Sequence, residues 1–330
     1  MKDFDNAFRN RHILITGGLG FIGSTLAYRL VSFGAHVVLI DSLIPTCGGN
    51  LFNVAGIEDR ADINISDIGD EQSLAVLVQN QDYLFNLAGQ TSHLDSMQDP
   101  YTDLEINCRA QLSVLEACRK YNPAVNVVFA STRQVYGKPD YLPVDEKHPL
   151  HPVDTNGIHK LAGEWYHLLY HKVYGIPTSI LRLTNTYGPR MRIKDARQTF
   201  LGVWIKAVIQ GTAFEVWEGQ QLRDFTYVDD AVDALLLAAI SPEATGRIFN
   251  LGGTQPISLK ELADLLVLVN GGGKFEIRDF PVERKKIDID DYYADFTEIQ
   301  HVLDWTPQVP LEVGLARTLT YFRDHIEHYV

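Results

Sequence analysis

The stretch VDTNGIHK, residues 153–160, gathers Asn156, His159 and Lys160, three side chains able to handle protons or hydrogen bonds. Pro152 and the polar lead-in mark a helix start, and the apolar-periodic run LAGEWYHLL continues it. Asn156 and Lys160 then share one helix face at i, i+4. A neutral amide donates and accepts hydrogen bonds but cannot serve as a base near neutral pH. Imidazoles titrate near neutrality, so His159, about 60° around the helix from Asn156, is one candidate proton acceptor, against a cap or surface histidine. Lys160 is another, if burial lowers its pKa.

A second chemical feature precedes these by more than a hundred residues. TGGLGFIG, residues 16–23, spaces Gly17, Gly20 and Gly23 as G-x-x-G-x-x-G between a short apolar run and a helical pattern. Such a turn lets a pyrophosphate approach the backbone, and the following helix N-terminus offers free N–H groups and a positive dipole end. Asp41 lies 18 residues beyond Gly23, at the end of the next apolar run. A carboxylate there accepts both ribose hydroxyls of an adenosine and repels a 2′-phosphate, so the expected dinucleotide is NAD rather than NADP. Asp67 and Ile68, after the third run, either border the adenine or cap a helix.

The elements that must position these groups alternate. HILIT (12–16), HVVLI (36–40), ADINI (61–65), YLFNLA (83–88), VNVVFAS (125–131) and TSILRL (178–183) read as strands. Helices are expected over about 20–33, 70–80, 101–121 and 156–174, with Leu104, Cys108, Leu112, Leu115 and Cys118 on one buried stripe of the third. Short β-branched runs between amphipathic helices predict an α/β fold, a Rossmann-type doubly wound parallel sheet covered on both faces. Residues 1–184 are expected to form that domain, with the chain returning to it around 223–252. Residues 185–330 are expected to build a smaller mixed α/β lobe, with helices near 198–210, 228–240, 258–269 and 312–325.

The net charge of −13 argues against nucleic acid as a partner. The longest apolar runs fall short of the ~20 residues of a membrane span, and the N-terminal residues carry no apolar stretch resembling a signal peptide. Cys47, Cys108 and Cys118 have no metal-ligand or disulfide spacing, so no metal is expected and the cytoplasm is the default compartment. A local basic cluster, Arg190, Arg192, Lys194 and Arg197, is either a solvated turn or a site for a small anion.

Taken in order, TGGLGFIG, NLAG (86–89), ASTRQVYG (130–137), the GIHK lysine, RLTNTYGP (182–189) and RDFTYVDD (223–230) resemble the extended short-chain dehydrogenase/reductase family. Within it they are most similar to the nucleotide-sugar epimerases and dehydratases. The resemblance runs from about residue 12 to about 316. It implies tightly held NAD that takes a hydride from a sugar carbon, usually C4, and returns it. It also implies a Tyr base in Y-x-x-x-K, a Lys beside the nicotinamide ribose, and a Ser or Thr on the same sugar hydroxyl. Lys160 and Thr132 match the last two, whereas Asn156 stands at the Tyr position. The resemblance places His93, in GQTSHLD, near the sugar, which adds a third candidate base; a water held by Asn156 and Thr132 is a further alternative. Arg133 and Gln134 occupy the places of the dehydratase acid and base, so standard 4,6-dehydration is not expected, and Arg133 could neutralise an anionic sugar substituent. Gly17, Gly20, Phe21, Ile22, Gly23, Asp41, Asp67, Ile68, Leu87, Ala88, Asn107 and Lys160 are the expected cofactor contacts. Gln90, Thr132, Arg133, Asn185, Arg192, Arg223 and Arg284 are the expected substrate contacts, with Asn185, Arg223 and Arg284 on the diphosphate. A homodimer through helices 101–121 and 156–174 is also implied. The expected function is NAD-dependent epimerisation of a nucleoside-diphosphate sugar with a non-standard base. Decarboxylation, an unconventional elimination, or a non-catalytic NAD-binding sensor or scaffold are the alternatives.

Overall fold

The computed structural model describes residues 4–197, 199–253 and 255–330, apart from the side chains of residues 283 and 284. Seven strands form its main sheet: β1 (His12–Thr16), β2 (His36–Asp41), β3 (Ala61–Ile65), β4 (Tyr83–Asn86), β5 (Asn126–Thr132), β6 (Thr178–Leu183) and β7 (Ile248–Asn250). Their order is β7-β6-β5-β4-β1-β2-β3, and every adjacent pair is parallel. This is the expected Rossmann-type α/β sheet. Parallel strands need covered faces, which is why β1 and β5 are apolar at consecutive positions and buried almost throughout. Strand order reverses between β1 and β4, so a crevice opens beyond their C-terminal ends.

The last sheet strand comes from late in the chain. Helix Val228–Ile240 packs against helix Phe21–Ser32, and β7 then pairs with β6. Leu26, Leu30, Leu235 and Phe249 share one fully buried cluster on that side of the sheet. A second cluster lies in the later part of the chain, where Trp204, Phe214, Leu262, Leu315 and Phe322 pack together. Its small sheet pairs Ala213–Trp217 in parallel with Lys274–Arg278. No helix among the described residues is long and apolar enough to cross a membrane.

One expected element differs. The helix over 101–121 is built from Pro100–Leu104, a π segment Glu105–Arg109, and Ala110–Tyr121. A wider π turn inserts a residue and rotates the preceding face. Leu115 and Cys118 are fully buried, but Leu104 is exposed. In its place Asp103 and Asn107 turn inward at zero exposure, beside the helix Thr155–Tyr174.

Candidate active site

The glycine turn is tied to the end of β4 through Thr16. Its hydroxyl donates to Asn86 Oδ1 at 2.8 Å and accepts from the backbone N–H groups of Leu87 and Ala88, each at 3.0 Å. Gly17 takes φ +66°, a left-handed conformation that a side chain would strain. At Gly23 a Cβ would lie 2.2 Å from the Gly17 carbonyl oxygen. The turn can therefore close only on glycine, leaving bare backbone facing a cavity. Asp41 stands at the end of β2 on the same cavity, its two oxygens accepting from Leu19 N (3.1 Å) and Leu43 N (2.9 Å). Burial raises its pKa, against those two hydrogen bonds. The bare backbone and the carboxylate together fit an adenine dinucleotide without a 2′-phosphate.

The cavity is also lined by Gly20, Phe21, Ile22, Asp67, Ile68, Leu87, Ala88, Gln90, Thr132, Arg133, Asn156, Lys160 and Asn185. A second cavity, of about 620 Å³, adjoins it. His93, Arg133, Gln134 and Asn185 line both and so stand at the junction.

Asp154 caps the helix Thr155–Tyr174, accepting from Gly157 N at 2.7 Å. That helix turns Asn156 and Lys160, both nearly fully buried, toward the cavity. The Asn156 amide nitrogen donates to Gln90 O (2.8 Å) and to Asp103 Oδ2 (3.1 Å). Both partners are acceptors, so the orientation of the amide is set by its surroundings. Its oxygen is the only hydrogen-bonding atom left over, and it can only accept. Thr132 Oγ1 accepts at 3.3 Å from Gln134 N, which leaves its hydroxyl hydrogen free to donate. The two side chains together offer substrate hydroxyls one donor and one acceptor.

Lys160 Nζ donates to Ala130 O at 3.1 Å and lies 5.0 Å from the Phe129 ring centroid. Burial lowers its pKa to about 8, with Asp103 and Glu164 pulling the other way. It is thus an amine poised to exchange protons near neutrality. His159 is placed differently. Its Nδ1 lies 2.6 Å from Asp103 Oδ1, and it does not line the cavity. His93 does line it, but its Nε2 lies 2.8 Å from Gln134 Nε2 and is occupied as an acceptor when that amide donates. His93 Nδ1 comes within 2.9 Å of Asp154 Oδ2, an ion-pair distance, but the two atoms are misaligned for a hydrogen bond. Tyr136 is fully buried between Arg182 and Asn250, and burial raises its pKa to about 12.

The expected substrate arginines separate. Arg133 lies at the cavity junction, its Nη2 donating to Asn185 Oδ1 at 3.1 Å. Arg223 lines the second cavity only, and much of its fork is engaged by Asp288 and the carbonyls of Leu222 and Asp290. Arg192 lines neither cavity. It binds Asp195 at 2.9 and 2.7 Å and donates to Cys47 O at 2.7 Å, bracing one loop against another. The Arg284 side chain lies outside the described residues. Asn107 sits beneath the cavity floor, donating to Gln90 O (2.9 Å) and Asp103 Oδ2 (3.0 Å).

Asp103 is the residue that sequence reasoning passed over. Fully buried, it accepts from Asn107, Asn156 and His159 and so orients all three. Its i, i+4 spacing from Asn107 was the available signal, but the apolar stripe through Leu104 pointed to a face about 100° away.

A model of the NAD-dependent epimerase/dehydratase family matches residues 13–252. A putative UDP-glucose 4-epimerase of Methanocaldococcus jannaschii is 32% identical over 315 residues, covering 95% of this chain and 99% of that protein. Among solved structures, an epimerase of Methanothermobacter thermautotrophicus superposes with a TM-score of 0.92 at 26% identity, covering 98% of this chain and 96% of that one. UDP-glucose 4-epimerase of Thermotoga maritima, solved with UDP-glucose, gives a TM-score of 0.86 at 29% identity, covering 96% and 99%.

Proposed function

Because the chain belongs to the NAD-dependent epimerase/dehydratase family, we propose that it inverts a carbon of a UDP-hexose by transient oxidation at C4, with Lys160 as the general base. The observation that carries this reading is the convergence of Thr132, Asn156 and Lys160 on the cavity that the glycine turn opens. When bound there, NAD supplies acceptance and return of a hydride, so the isomerisation is redox-neutral. The glycine turn and Asp41 would hold its adenosine end, and Lys160 would lie beside its nicotinamide end.

The residues divide the remaining work. The reacting sugar hydroxyl accepts from Thr132 Oγ1 and points its hydrogen at Lys160 Nζ, while the carbonyl oxygen of Asn156 accepts from a neighbouring sugar hydroxyl and fixes the ring. When neutral, Lys160 takes the proton of the reacting hydroxyl and gives it back as that hydroxyl re-forms. The missing phenol is thus replaced by two groups: an amide that positions and an amine that titrates. His159 acts through Asp103 as a positioning residue. The rest of the nucleotide sugar extends past Asn185 into the second cavity, toward Arg223.

We place the enzyme in the cytoplasm as a homodimer. Ile158, Trp165 and Leu169 on helix Thr155–Tyr174 are each at least half exposed, as is Tyr101 on the neighbouring helix. A row of large apolar side chains left to water supports a second copy as its cover.

The test is the pH dependence of UDP-glucose/UDP-galactose interconversion. Below about pH 8 the base is mostly protonated, so kcat/KM rises about tenfold per unit of pH and levels off above it. Lys160→Met abolishes turnover while bound NAD, measured by its release on denaturation, is retained in part. Added primary amines restore some activity to Lys160→Ala. A flat profile from pH 7 to 9, or full activity in Lys160→Met, removes Lys160 from the role. No interconversion of any UDP-hexose overturns the reading itself.

A further inference from the structure

Arg133 carries a charge with which no carboxylate among the described residues forms an ion pair. Its Nη2 is taken by Asn185 Oδ1 at 3.1 Å, and the guanidinium carbon lies 5.2 Å from the Tyr292 ring centroid. Its Nη1 is buried without a hydrogen-bond partner. Among the described residues no carboxylate pairs with it, although Asp224, Asp288 and Asp154 act on it electrostatically. Each of these is engaged elsewhere. Asp224 accepts from Thr184 Oγ1 at 2.6 Å and Ala294 N at 3.1 Å. Asp288 pairs with Arg223, and Asp154 caps a helix. Burial pushes the Arg133 pKa below the usual arginine value. A desolvated guanidinium with an idle N–H group is costly unless an anion arrives to use it.

Position narrows which anion. Arg133 directly follows Thr132, whose hydroxyl faces the cofactor cavity, and it stands where the two cavities meet. That is the end where the sugar ring must lie. The second cavity has cationic side chains of its own farther along, with Arg223, Lys194, Lys206 and Arg197 among its lining. We infer that the substrate is a UDP-hexuronic acid, whose sugar carboxylate accepts a charge-assisted hydrogen bond from Arg133 Nη1. This rests on the UDP-sugar reading above and adds the chemical class of the sugar. A carboxylate provides the missing counter-charge, whereas the hydroxymethyl group of a neutral hexose leaves it unmet.

The test compares UDP, UDP-glucose and UDP-glucuronate on the NAD-loaded protein. Binding is followed by tryptophan fluorescence, since Trp204 and Trp217 line the second cavity. One charge-assisted hydrogen bond corresponds to about 10–100-fold in affinity. UDP-glucuronate is therefore expected to bind at least about tenfold more tightly than UDP-glucose. Arg133→Met should reduce that preference to within about threefold, because UDP-glucuronate loses more affinity than UDP or UDP-glucose does. Arg133→Lys, which keeps the charge but loses the fork, should retain part of it. Equal binding of the two sugars by the unaltered protein overturns the inference, and needs no variant to fold. So does an equal loss for all three ligands in Arg133→Met, which would place the arginine on the diphosphate. Interconversion of UDP-glucose without a preference for the acid leaves the epimerase reading standing and removes only this inference. Failure of all three ligands to bind removes both.

Discussion

Replacing Asp103 tests the network that takes the place of the missing phenol. The carboxylate is fully buried and accepts three side-chain hydrogen bonds, from Asn107 at 3.0 Å, Asn156 at 3.1 Å and His159 at 2.6 Å. Asp103→Ala removes the acceptor from all three donors at once. Each buried donor left without a partner costs about 1–3 kcal/mol. Asn107 and Asn156 keep a second acceptor in Gln90 O, which holds their share to the low end. The expected loss is about 3–5 kcal/mol, a large part of the ~5–15 kcal/mol that holds a typical domain together. Asp103→Asn preserves the shape and one acceptor oxygen, so its loss should be less than half as large. Urea unfolding at matched NAD loading measures both, because a bound ligand would otherwise shift the midpoint.

The same pair of variants has a second readout, which packing alone would not move. Asp103 raises the Lys160 pKa against the burial that lowers it to about 8. Removing the negative charge lets that pKa fall further. Between the folded pKa and the ordinary lysine value of about 10.4, the unfolded chain binds the proton and the folded protein does not, so stability rises with pH in that window. In Asp103→Asn the window opens at lower pH, and the rising limb of kcat/KM moves to lower pH with it. If Asp103→Ala unfolds within 1 kcal/mol of the unaltered protein, the buried acceptor is not holding these groups. If the limb in Asp103→Asn stays in place or moves upward, Asp103 and Lys160 are not electrostatically coupled.

Two other perturbations probe the ends of the argument. Gly23→Ala would put a methyl carbon 2.2 Å from the Gly17 carbonyl oxygen, so the purified variant should carry less than about a tenth of the NAD of the unaltered protein, read from the cofactor released on denaturation. Trp165→Glu places a charge on a side chain 60% exposed in the single chain, so the variant should elute as a monomer in size-exclusion chromatography with its unfolding midpoint little changed in the monomeric state; an unaltered dimer would exclude this face as the interface.

How much was legible in the sequence depended on how local each signal is. The strands His12–Thr16, Ala61–Ile65 and Thr178–Leu183 lie where the sequence runs of strand-formers do; the first and last are buried almost throughout, whereas Ala61–Ile65 is the sheet edge and alternates Ile with the polar Asp62 and Asn64. The glycine turn was equally plain, since its constraint acts through contacts within a few residues. The spacing of Asn156 and Lys160 on one helix face was also readable, as was the loss of a proton acceptor at position 156. Choosing among His159, His93 and Lys160 was not. All three carry a titratable nitrogen, and only the packing shows that His159 turns to Asp103, that His93 meets Gln134 and Asp154, and that Lys160 is desolvated at the cavity wall. The π segment at Glu105–Arg109 was invisible for a related reason. Its rotation buries Asp103 and Asn107 in place of Leu104, and that exchange is favourable only because amide and imidazole donors from a helix more than fifty residues later are there to meet the carboxylate. Arg133 likewise reads in the sequence as one basic residue among many; its significance comes from a buried N–H group with no hydrogen-bond partner among the described residues, a property of the assembled fold. Periodicity and turn chemistry are written along the chain, whereas the balance between burial and hydrogen-bond partners exists only once distant segments have come together.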